Sequence, residues 1–439
     1  MKKLKKTGRP SQGANTQAAV LMQAAQALGN VLEFEYPADA VLSKFFREHH
    51  ALGRRDRALI AESVYGVLRR LRWLHRLTGV GAVPRQLLLA WLARGEGWAM
   101  RQFDGLVSGE ELHWIEAIKA VDLAEGEGSL AERADLPDWL CERLLGTHDE
   151  AGLLQLAQSL NRPAPLDLRV NILKLGRDAA LARLRDSGLD AAPCPWSPHG
   201  IRLAGKPALQ KHPLFLDGSV EVQDEGSQIL GFLVQPKSGE FVVDFCAGAG
   251  GKTLQLGAMM RSAGRLYALD VAEKRLARLR PRVARAGLSN VHPILIAHER
   301  DARLKRLAGK ADRVLVDVPC SGLGTLRRNP DLKWRQTPAA INEMVLRQQA
   351  ILEAAAKLVR PGGRFVYATC SLLDEENDGV VDAFLASHPE FMSVSAEDIL
   401  ARQGIAPATG ERLRLSPAVH GTDGFFAAVL MREQAPRGK

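Results

Sequence analysis

The stretch FVVDFCAGAGGKT, residues 241–253, decides the fold of this chain. Residues 241–245 form an apolar run that predicts a buried parallel strand, and the small residues 247–251 predict a tight turn. A helix is expected to begin near Lys252. A strand, a glycine turn and a helix in this order are typical of a doubly wound α/β sheet, in which ligands bind at the carboxyl edge of the strands. The stretch therefore predicts a ligand site inside an α/β domain.

Three classes of ligand bind turns of this kind, and the spacing of the glycines separates them. A dinucleotide fingerprint needs a glycine three residues after Gly250, where the chain has Thr253. A phosphate-binding P-loop needs its leading glycine at the position of Cys246. S-adenosylmethionine (SAM) remains, because its methionine end needs close backbone contact but no pyrophosphate site. Asp270 supports SAM, since it ends the next apolar run, where a carboxylate can bind both ribose hydroxyls. On this stretch alone, an ordinary glycine turn in an α/β core stays open as the alternative.

Length, composition and charge limit the classes of protein to which the chain can belong. Its 439 residues suffice for two or three domains. The sequence contains no apolar run of membrane-spanning length and no signal peptide, so a cytoplasmic location is expected. Its five cysteines include no C-x-x-C pair, which argues against a disulfide framework and a zinc site. The net charge of +9 favours a polyanionic partner such as nucleic acid. A monomer without membrane or metal partners is expected.

The first 150 residues are predicted to form a tail and a helical domain. Residues 1–15 are polar and basic, and they predict a flexible tail whose lysines can contact phosphates. Residues 16–150 predict the helical domain, and its clearest segment is 54–77, in which apolar residues recur at helical spacing. Four arginines leave the remaining surface of this segment strongly positive, namely Arg69, Arg70, Arg72 and Arg76. RNA contact and a solvated helix face explain these arginines about equally well.

The rest of the chain predicts two further parts. Residues 151–235 alternate between strand-like and helix-like runs, which predicts a small α+β module. Residues 236–432 carry the doubly wound pattern, with strands expected at 241–245, 265–269, 292–296, 313–317 and 364–369 and two extended runs at the end. Asp301 follows the third of these strands and Asp317 ends the fourth. Both are therefore expected at the same carboxyl edge as Gly248 and Asp270.

Two cysteines follow predicted strands, one in DVPCSG (317–322) and one in YATCS (367–371). A lone cysteine at a strand end is usually a small core residue. Two of them at strand ends beside a SAM turn favour a chemical role, because both open into the same crevice.

Methylation of carbon 5 of a pyrimidine explains why a thiolate is useful there. Carbon 5 is too weak a nucleophile to attack the methyl sulfonium of SAM directly. A thiolate that adds to carbon 6 turns the ring into an enamine-like species whose carbon 5 can attack. Protonation of the ring nitrogen, or a hydrogen bond to it, eases this addition, and Asp317 is placed to provide it. A base must then remove the proton from carbon 5 so that the thiol can leave, and the second cysteine is a candidate for that step.

The motifs resemble those of the RsmB/Sun (Fmu) family of SAM-dependent RNA 5-methylcytosine methyltransferases. Within 241–431 the matching residues are Asp270, Asp301 and the stretches DFCAGAGGKT (244–253), DVPCSG (317–322), RNPDLKW (328–334), YATCS (367–371) and DGFF (423–426). Upstream, the similar stretches are RVNILK (169–174), VQDEGSQ (222–228) and LGRRDRALIAESVYGVLRR (52–70). The resemblance implies an α/β fold with a doubly wound, Rossmann-like class I methyltransferase domain. A small α+β module and an α-helical, NusB-like, RNA-binding N-terminal domain are implied to precede it.

The resemblance also implies roles for individual residues. Cys370 is the implied nucleophile, and Cys320 is the cysteine that helps to release the product. The SAM site is implied to comprise Cys246, Ala247, Gly248, Ala249, Gly250, Gly251, Lys252, Asp270, Asp301 and Asp317. Lys174, as a further catalytic residue, and Arg169 are implied to lie near the target base. The turn of the family commonly has proline where this chain has Ala249.

Two alternatives come from other classes of protein. A DNA 5-methylcytosine enzyme would use the Pro-Cys cysteine, Cys320, as its nucleophile and would not need Cys370, so the second cysteine favours RNA. A non-catalytic RNA-binding assembly factor with a decayed methyltransferase fold is disfavoured by the intact cysteines, Asp317 and glycine turn. Small-subunit ribosomal RNA is the expected substrate at the level of the family, and transfer RNA is the alternative.

Overall fold

A computed structural model describes residues 12–123, 126–407 and 409–434 of the chain. They form two compact units, of which the first holds the residues up to Asn161 together with 329–336. The second holds 162–328 and the residues from Thr337 onward. This division differs from the predicted domains, because the helix that follows residue 150 belongs to the first unit. The remaining residues of the predicted module 151–235 belong to the second unit, which also contains the large sheet.

The first unit is built from helices. They are α1 (Gln12–Leu32), α2 (Ala38–Glu48), α3 (Arg54–Arg69), α4 (Leu71–Thr78), α5 (Pro84–Ala90), α6 (Gly109–Ala120), α7 (Leu130–Ala134), α8 (Asp138–Leu144) and α9 (Glu150–Leu160). A π-helical turn, Trp91–Gly95, and a 3-10 turn, Met100–Gln102, lie between α5 and α6. The apolar stripe predicted on 54–77 packs into the core, where its members are buried: Ile60, Val64, Val67, Leu71 and Leu74.

The predicted flexible tail 1–15 is too long at its carboxyl end, because α1 already begins at Gln12. Residues 1–11 lie outside the described residues. An apolar pattern detects only the part of a helix that is buried, and the buried side of α1 begins at Val20. Extending a helix that is already nucleated costs little, so its first turns can lie beyond the pattern.

The predicted helix 54–77 is divided at Arg70, whose φ of −119° and ψ of 29° separate α3 from α4. The cause is Asp135, which lies between α7 and α8 in a left-handed conformation with φ 53°. Its buried carboxylate accepts a hydrogen bond from the backbone nitrogen of Trp73, in the first turn of α4, at 2.9 Å. Asp135 thus acts as an N-terminal cap for a helix that is distant in the sequence.

The four arginines of this segment are held by their own unit, which corrects the expectation of an open positive surface. Three of them pair with acids between residues 127 and 138, in the pairs Arg70–Asp135 (3.2 Å), Arg72–Asp138 (2.8 Å) and Arg76–Glu127 (4.0 Å). Burial lowers the pKa of the fourth, Arg69. Local periodicity could not reveal these partners, because they lie far away in the sequence.

The second unit begins with a small antiparallel sheet. Its elements are β1 (Leu166–Val170), α10 (Arg177–Asp186), β2 (Ala191–Pro193), β3 (Gly200–Leu203), α11 (Pro213–Leu216) and β4 (Val220–Val222). The strand order is β2-β3-β1-β4. The register pairs Leu168 of β1 with Ile201 of β3 and with Val222 of β4. This sheet brings residues 223–227 to the edge of the larger sheet that follows.

The larger sheet and its helices form the rest of the second unit. In chain order the elements are α12 (Glu225–Val234), β5 (Phe241–Asp244), α13 (Gly251–Met259), β6 (Arg265–Asp270), α14 (Glu273–Ala286), β7 (Val291–Leu295), β8 (Ala311–Asp317), α15 (Leu332–Arg335, within the first unit), α16 (Pro338–Ala356), β9 (Val359–Thr369), α17 (Asp378–Ser387), β10 (Phe391–Val394), α18 (Ala396–Ala401), β11 (Leu413–Leu415), α19 (Pro417–His420) and β12 (Phe425–Arg432).

The described strands of this sheet are ordered β10-β12-β9-β8-β5-β6-β7, with β11 beside β12. The five adjacent strands β9, β8, β5, β6 and β7 run parallel to one another, whereas β12 is antiparallel to β9. The order reverses between β5 and β8, which is the topological switch point of a doubly wound sheet. The predicted doubly wound, Rossmann-like α/β fold is thereby confirmed. The predicted strands agree with β5–β9, β11 and β12 to within a few residues, and β10 was not predicted.

The central strands of the large sheet are buried on both faces. Val242 of β5 joins the core on one face, and its neighbour Val243 joins the core on the other. Both side chains are inaccessible to solvent. Continuous apolar runs are characteristic of parallel strands that helices cover on both sides. In the described part of the chain, no helix has the length and hydropathy needed to cross a bilayer.

Candidate active site

A cavity of about 580 Å³ opens at the carboxyl edge of the large sheet. The loops after β5, β6, β7, β8 and β9 all contribute to its wall, as the topology predicts. Most of the predicted site residues line it, namely Cys246, Ala247, Gly248, Ala249, Gly251, Lys252, Asp270, Asp317, Cys320 and Cys370. The structure therefore brings together residues that the sequence spreads over more than 120 positions.

The glycine turn after β5 leaves room on the cavity side and packs tightly on the other. Gly248 and Gly250 have φ values of 57° and 88°, which L-residues with side chains rarely adopt. A Cβ on Gly250 would lie 2.0 Å from the Cδ1 atom of Leu279 in α14. A Cβ on Gly248 or Gly251 would meet no protein atom within 4 Å. Both of these residues line the cavity, so their missing side chains leave space for a ligand.

Asp270, the last residue of β6, ties the turn to the neighbouring strand. Its carboxylate accepts hydrogen bonds from the backbone nitrogens of Gly248 and Ala272, each at 2.7 Å. Two backbone donors fix the position of the carboxylate at the cavity wall, and each oxygen keeps a further lone pair. This arrangement suits a ligand that offers two adjacent hydroxyls, such as the ribose of SAM.

Two arginines hold the backbone of the turn from outside the cavity. Arg282 of α14 donates to the carbonyl oxygen of Ala249 at 2.6 Å and to the carboxylate of Glu221 at 3.0 Å. Arg169 of β1 donates to the carbonyl oxygen of Gly251 at 2.6 Å and to the side-chain oxygen of Gln223. The turn thus has side-chain support at Ala249 and at Gly251. Burial lowers the pKa of Arg169 to about 10.

Lys252 and Asp317 form an ion pair across the inner end of the cavity. The Nζ atom of Lys252 lies 2.6 Å from Oδ2 of Asp317. Burial lowers the pKa of Lys252, but Asp317 and more weakly Cys370 and Asp244 raise it, and the net pKa lies above its ordinary value. Lys252 therefore carries a positive charge beside Asp317 at neutral pH.

Asp244, at the end of β5, is a buried carboxyl on the cavity wall. One oxygen accepts a hydrogen bond from the hydroxyl of Thr253 at 2.6 Å, and the other has no partner among the described residues. Burial raises the pKa of Asp244 to about 7, and the nearby carboxylates of Asp317 and Asp270 add to the effect. Sequence analysis did not single out this residue.

The two cysteines meet at the cavity wall. Their Sγ atoms lie 3.3 Å apart, and the backbone nitrogen of Cys370 lies 3.3 Å from the sulfur of Cys320. The hydrogen bond with Cys370 and burial raise the pKa of Cys320 well above its ordinary value. Cys320 is therefore a neutral thiol at physiological pH.

Glu376 was also missed by sequence analysis, although it contacts both cysteine loops. It is fully buried after β9 and accepts hydrogen bonds from Ser321 and Ser371, the residues that follow the two cysteines. Its only sequence signal is its position shortly after YATCS, and that spacing alone does not reveal the contact with Ser321.

Gly250, Asp301 and Lys174 are the predicted SAM-site or catalytic residues that do not line the cavity, and the last two are held by other contacts. Asp301 accepts hydrogen bonds from the backbone nitrogens of Ala297 at 2.8 Å and Arg303 at 2.9 Å, and these bonds lower its pKa. It shapes the loop after β7, of which Glu299 reaches the cavity. Lys174 donates to the carbonyl oxygens of Asp217 at 2.5 Å and Arg285 at 2.7 Å. The end of α14 attracts this lysine because its carbonyls lack helical partners. Lys174 is not among the residues that line the cavity, and its proximity to the target base stays a prediction.

A buried group of three potential metal ligands, Asp167, Cys194 and Glu225, lies in the small sheet region. Its carboxylates already have a cationic partner, because Arg202 contacts Asp167 at 2.7 Å and Glu225 at 3.2 Å. Arg202 thus supplies the positive charge that a metal ion would otherwise contribute.

Comparisons with known proteins agree with this geometry. Residues 231–431 match the family model for the 16S rRNA methyltransferase RsmB/F, and 136–210 match the ferredoxin-like domain of RsmF/B-like methyltransferases. The chain is 34% identical to ribosomal RNA small subunit methyltransferase B of Sodalis glossinidius, over 93% of this chain and 97% of the relative. It is 31% identical to the enzyme of the same name from Shewanella oneidensis, over 93% and 98%.

Two solved structures extend the comparison to the fold. The crystal structure of PH0851 is 26% identical, with a TM-score of 0.76 over 97% of this chain and all of that chain. A methyltransferase homolog from Pyrococcus horikoshii is 28% identical, with a TM-score of 0.60 over 71% of this chain and all of its own.

Proposed function

The chain belongs to the RsmB/F family of ribosomal RNA small subunit methyltransferases, and on that premise we propose that it methylates carbon 5 of a cytosine in small-subunit ribosomal RNA. The observation that carries the proposal is the pair of cysteine sulfurs, Cys320 and Cys370, 3.3 Å apart in the wall of one cavity. A methyl transfer to nitrogen or oxygen needs no thiol. A transfer to carbon 5 needs one thiol as nucleophile and a base to complete the reaction.

Cys370 is the nucleophile in this proposal. Its sulfur adds to carbon 6 of the cytosine, a sulfur–carbon bond forms, and the ring electrons make carbon 5 nucleophilic. The position of Cys370 in YATCS supports this assignment, because the resemblance of the motifs implies that the cysteine of this stretch is the nucleophile. The carboxylate of Asp317 is held in place by Lys252. It accepts a hydrogen bond from the edge of the cytosine ring.

Cys320 acts after the methyl group has reached carbon 5. It removes the remaining proton from that carbon, the bond between Cys370 and carbon 6 breaks, and the aromatic ring is restored. Cys370 is the main cause of the raised pKa of Cys320 in the free enzyme. Once the sulfur of Cys370 is a neutral thioether, the pKa of Cys320 is raised less, because only burial and the charge of Glu376 still raise it. Cys320 can then release its proton to water in the cavity, and the resulting thiolate is the base that takes the proton from carbon 5.

The cavity also suits the methyl donor. Gly248 and Gly251 leave space beside the turn, and Asp270 presents a fixed carboxylate for the ribose hydroxyls. When bound there, SAM supplies the methyl group. The spacing of the turn supports SAM over a dinucleotide, because Thr253 stands where a dinucleotide fingerprint has its third glycine.

Nucleoside analysis of the product tests the proposal. Purified protein is incubated with isotopically labelled SAM and unmodified 16S rRNA, the RNA is digested, and methylated nucleosides are separated by mass spectrometry. Labelled 5-methylcytidine at a single position is expected. A label on another atom would overturn the carbon-5 chemistry, and a label on transfer RNA but not on 16S rRNA would overturn the proposed substrate.

A further inference from the structure

The carboxylate of Glu376 contacts both loops that carry the cysteines. One oxygen accepts hydrogen bonds from the backbone nitrogen of Ser321 at 2.8 Å and from the side-chain amide of Gln348 at 2.9 Å. The other accepts from the hydroxyl of Ser321 at 2.5 Å and from the hydroxyl of Ser371. Ser321 follows Cys320, and Ser371 follows Cys370. One buried group is therefore bonded to the residue next to each thiol.

The position of this carboxylate is itself fixed by strand β9. The hydroxyl of Tyr367 donates to the backbone carbonyl of Glu376 at 2.6 Å. The neighbouring Asn377 accepts a hydrogen bond from Thr369 at 2.5 Å and donates to the carbonyl of Ser371 at 3.2 Å. Because β9 holds the backbone of Glu376 and Asn377, the Glu376 carboxylate has a fixed position relative to both cysteine loops.

Hydrogen bonds to a carboxylate are stronger than those between neutral groups. Ser321 supplies both its backbone nitrogen and its hydroxyl, so the Cys320 loop is attached by two bonds. The Cys370 loop is attached through the hydroxyl of Ser371. Losing the negative charge would weaken both attachments while leaving the volume of the side chain almost unchanged.

We propose that Glu376 is a positioning residue that sets the separation of the two thiols. The inference rests on the proposed two-cysteine reaction, in which the same cytosine is attacked by one sulfur and deprotonated by the other. Such a reaction depends on the relative placement of its two groups, and a displacement of about 1 Å can reduce a rate about a hundredfold. The described residues show no hydrogen bond between Glu376 and either sulfur, so Glu376 influences the separation of the thiols through Ser321 and Ser371. Its negative charge also adds to the raised pKa of Cys320.

The test measures each half of the reaction separately. In a C320S background the covalent adduct between enzyme and RNA accumulates, and the rate of its appearance in a single turnover reports the attack by Cys370. Adding Glu376→Gln to this background is expected to slow adduct formation at least about tenfold. The calorimetric affinity for SAM should stay unchanged, because Glu376 is not part of the turn after β5. A purely structural loss would lower both quantities.

The two serines provide a finer test that uses smaller changes. Ser371→Ala in the C320S background should slow adduct formation, since it removes the hydroxyl that attaches the Cys370 loop to Glu376. Ser321→Ala in the otherwise wild-type protein should prolong the lifetime of the adduct. It should slow adduct formation less than Ser371→Ala does, because the Ser321 hydroxyl contacts the Cys370 loop only through its hydrogen bond with the Ser371 hydroxyl at 3.1 Å. Glu240→Gln is the matched control, because this carboxylate pairs with Arg313 at 3.1 Å near the amino ends of the strands.

The outcomes separate this inference from the proposed function. If C320S accumulates no adduct with RNA, the two-cysteine reaction itself is wrong. If C320S accumulates adduct, and Glu376→Gln and Ser371→Ala both leave its rate unchanged, the positioning role of Glu376 is wrong. Should Glu376→Gln fail to fold, as judged by loss of SAM binding and of a cooperative melt, the two serine variants decide the question.

Discussion

Asp317 of β8 pairs in register with Ala368 of β9, so the cysteine loops that follow these two strands begin side by side. Neighbouring strands in a sheet lie about 4.8 Å apart. Two residues that are 50 positions apart in the sequence can therefore place their sulfurs within 3.3 Å. The strand pairing thus brings the two cysteine loops together, and the hydrogen bonds around the thiols fix their final positions.

Replacing Cys370 or Cys320 by serine should block two different steps of the reaction. Cys370→Ser removes the nucleophile, so neither methylation nor a covalent adduct is expected. Cys320→Ser leaves the attack intact but removes the base, so the enzyme should remain attached to methylated RNA as a slow, denaturant-resistant band on a gel. Cys141→Ser, a change at a buried cysteine of the first unit, is the control and should affect neither result. A trapped band with Cys370→Ser and none with Cys320→Ser would reverse the assigned roles.

Asp270→Ala should weaken the binding of SAM. The variant removes the proposed acceptor for the ribose and also frees the backbone nitrogen of Gly248. A loss of about 1.5–3 kcal/mol is expected for a hydrogen bond to a charged group, equivalent to about a ten- to hundredfold rise in Kd by calorimetry. Asp312→Asn, near the amino end of β8, is the control. Equal affinities in the folded variant and the wild type would argue against the role of Asp270.

Asp244 should give the stability of the protein a specific dependence on pH. Burial raises its pKa to about 7, so the folded protein retains a proton that the unfolded chain releases near its ordinary pKa of 3.8. Stability contributed by that proton is fully present below pH 3.8 and is lost as pH rises towards 7. Relative to Asp244→Asn, the free energy of unfolding of the wild type should fall by roughly 4 kcal/mol between pH 4 and 7 and then level off. A constant difference across that range in urea unfolding would contradict the expectation.

Arg70→Ala should destabilise the first unit. It removes the closest cation from the carboxylate of Asp135, which is almost completely buried and caps α4. A cost of about 1–3 kcal/mol is expected when a buried charged group loses a partner. Urea unfolding followed by tryptophan fluorescence can measure it, since Trp73 lies beside Arg70. Arg55→Ala, at an exposed position in α3, is the control and should leave the midpoint unchanged.

In the second unit, local sequence patterns were enough to predict the strands of the large sheet and the residues at their carboxyl ends. Apolar runs predicted β5 and β6 nearly to the residue, and the parallel arrangement then placed Asp270, Asp317 and both cysteines at one edge. The prediction worked because it used only strand direction and strand ends. It needed no knowledge of how individual side chains pair.

Predictions that depended on a distant partner were less successful. The break between α3 and α4 is caused by Asp135, which lies 62 positions from Trp73. The contact of Glu376 with Ser321 spans 55 positions, and that of Lys174 with Arg285 spans 111. Hydrophobic periodicity reports which face of an element is buried, and it contains no information about which polar group from elsewhere will meet that face. Such contacts required the three-dimensional structure.

The discontinuity of the first unit has a consequence for the order in which the protein is made. Lys333 donates to the carbonyl of Arg69 at 2.9 Å and to the side chain of Asn161 at 3.0 Å, and Trp334 donates to the carbonyl of Leu68 at 2.8 Å. A ribosome synthesises β1–β8 before it reaches these residues. The helical unit is thus the first to emerge and lacks its last segment until much of the second unit has been translated. An amino-terminal fragment that ends at residue 161 would lack these contacts permanently.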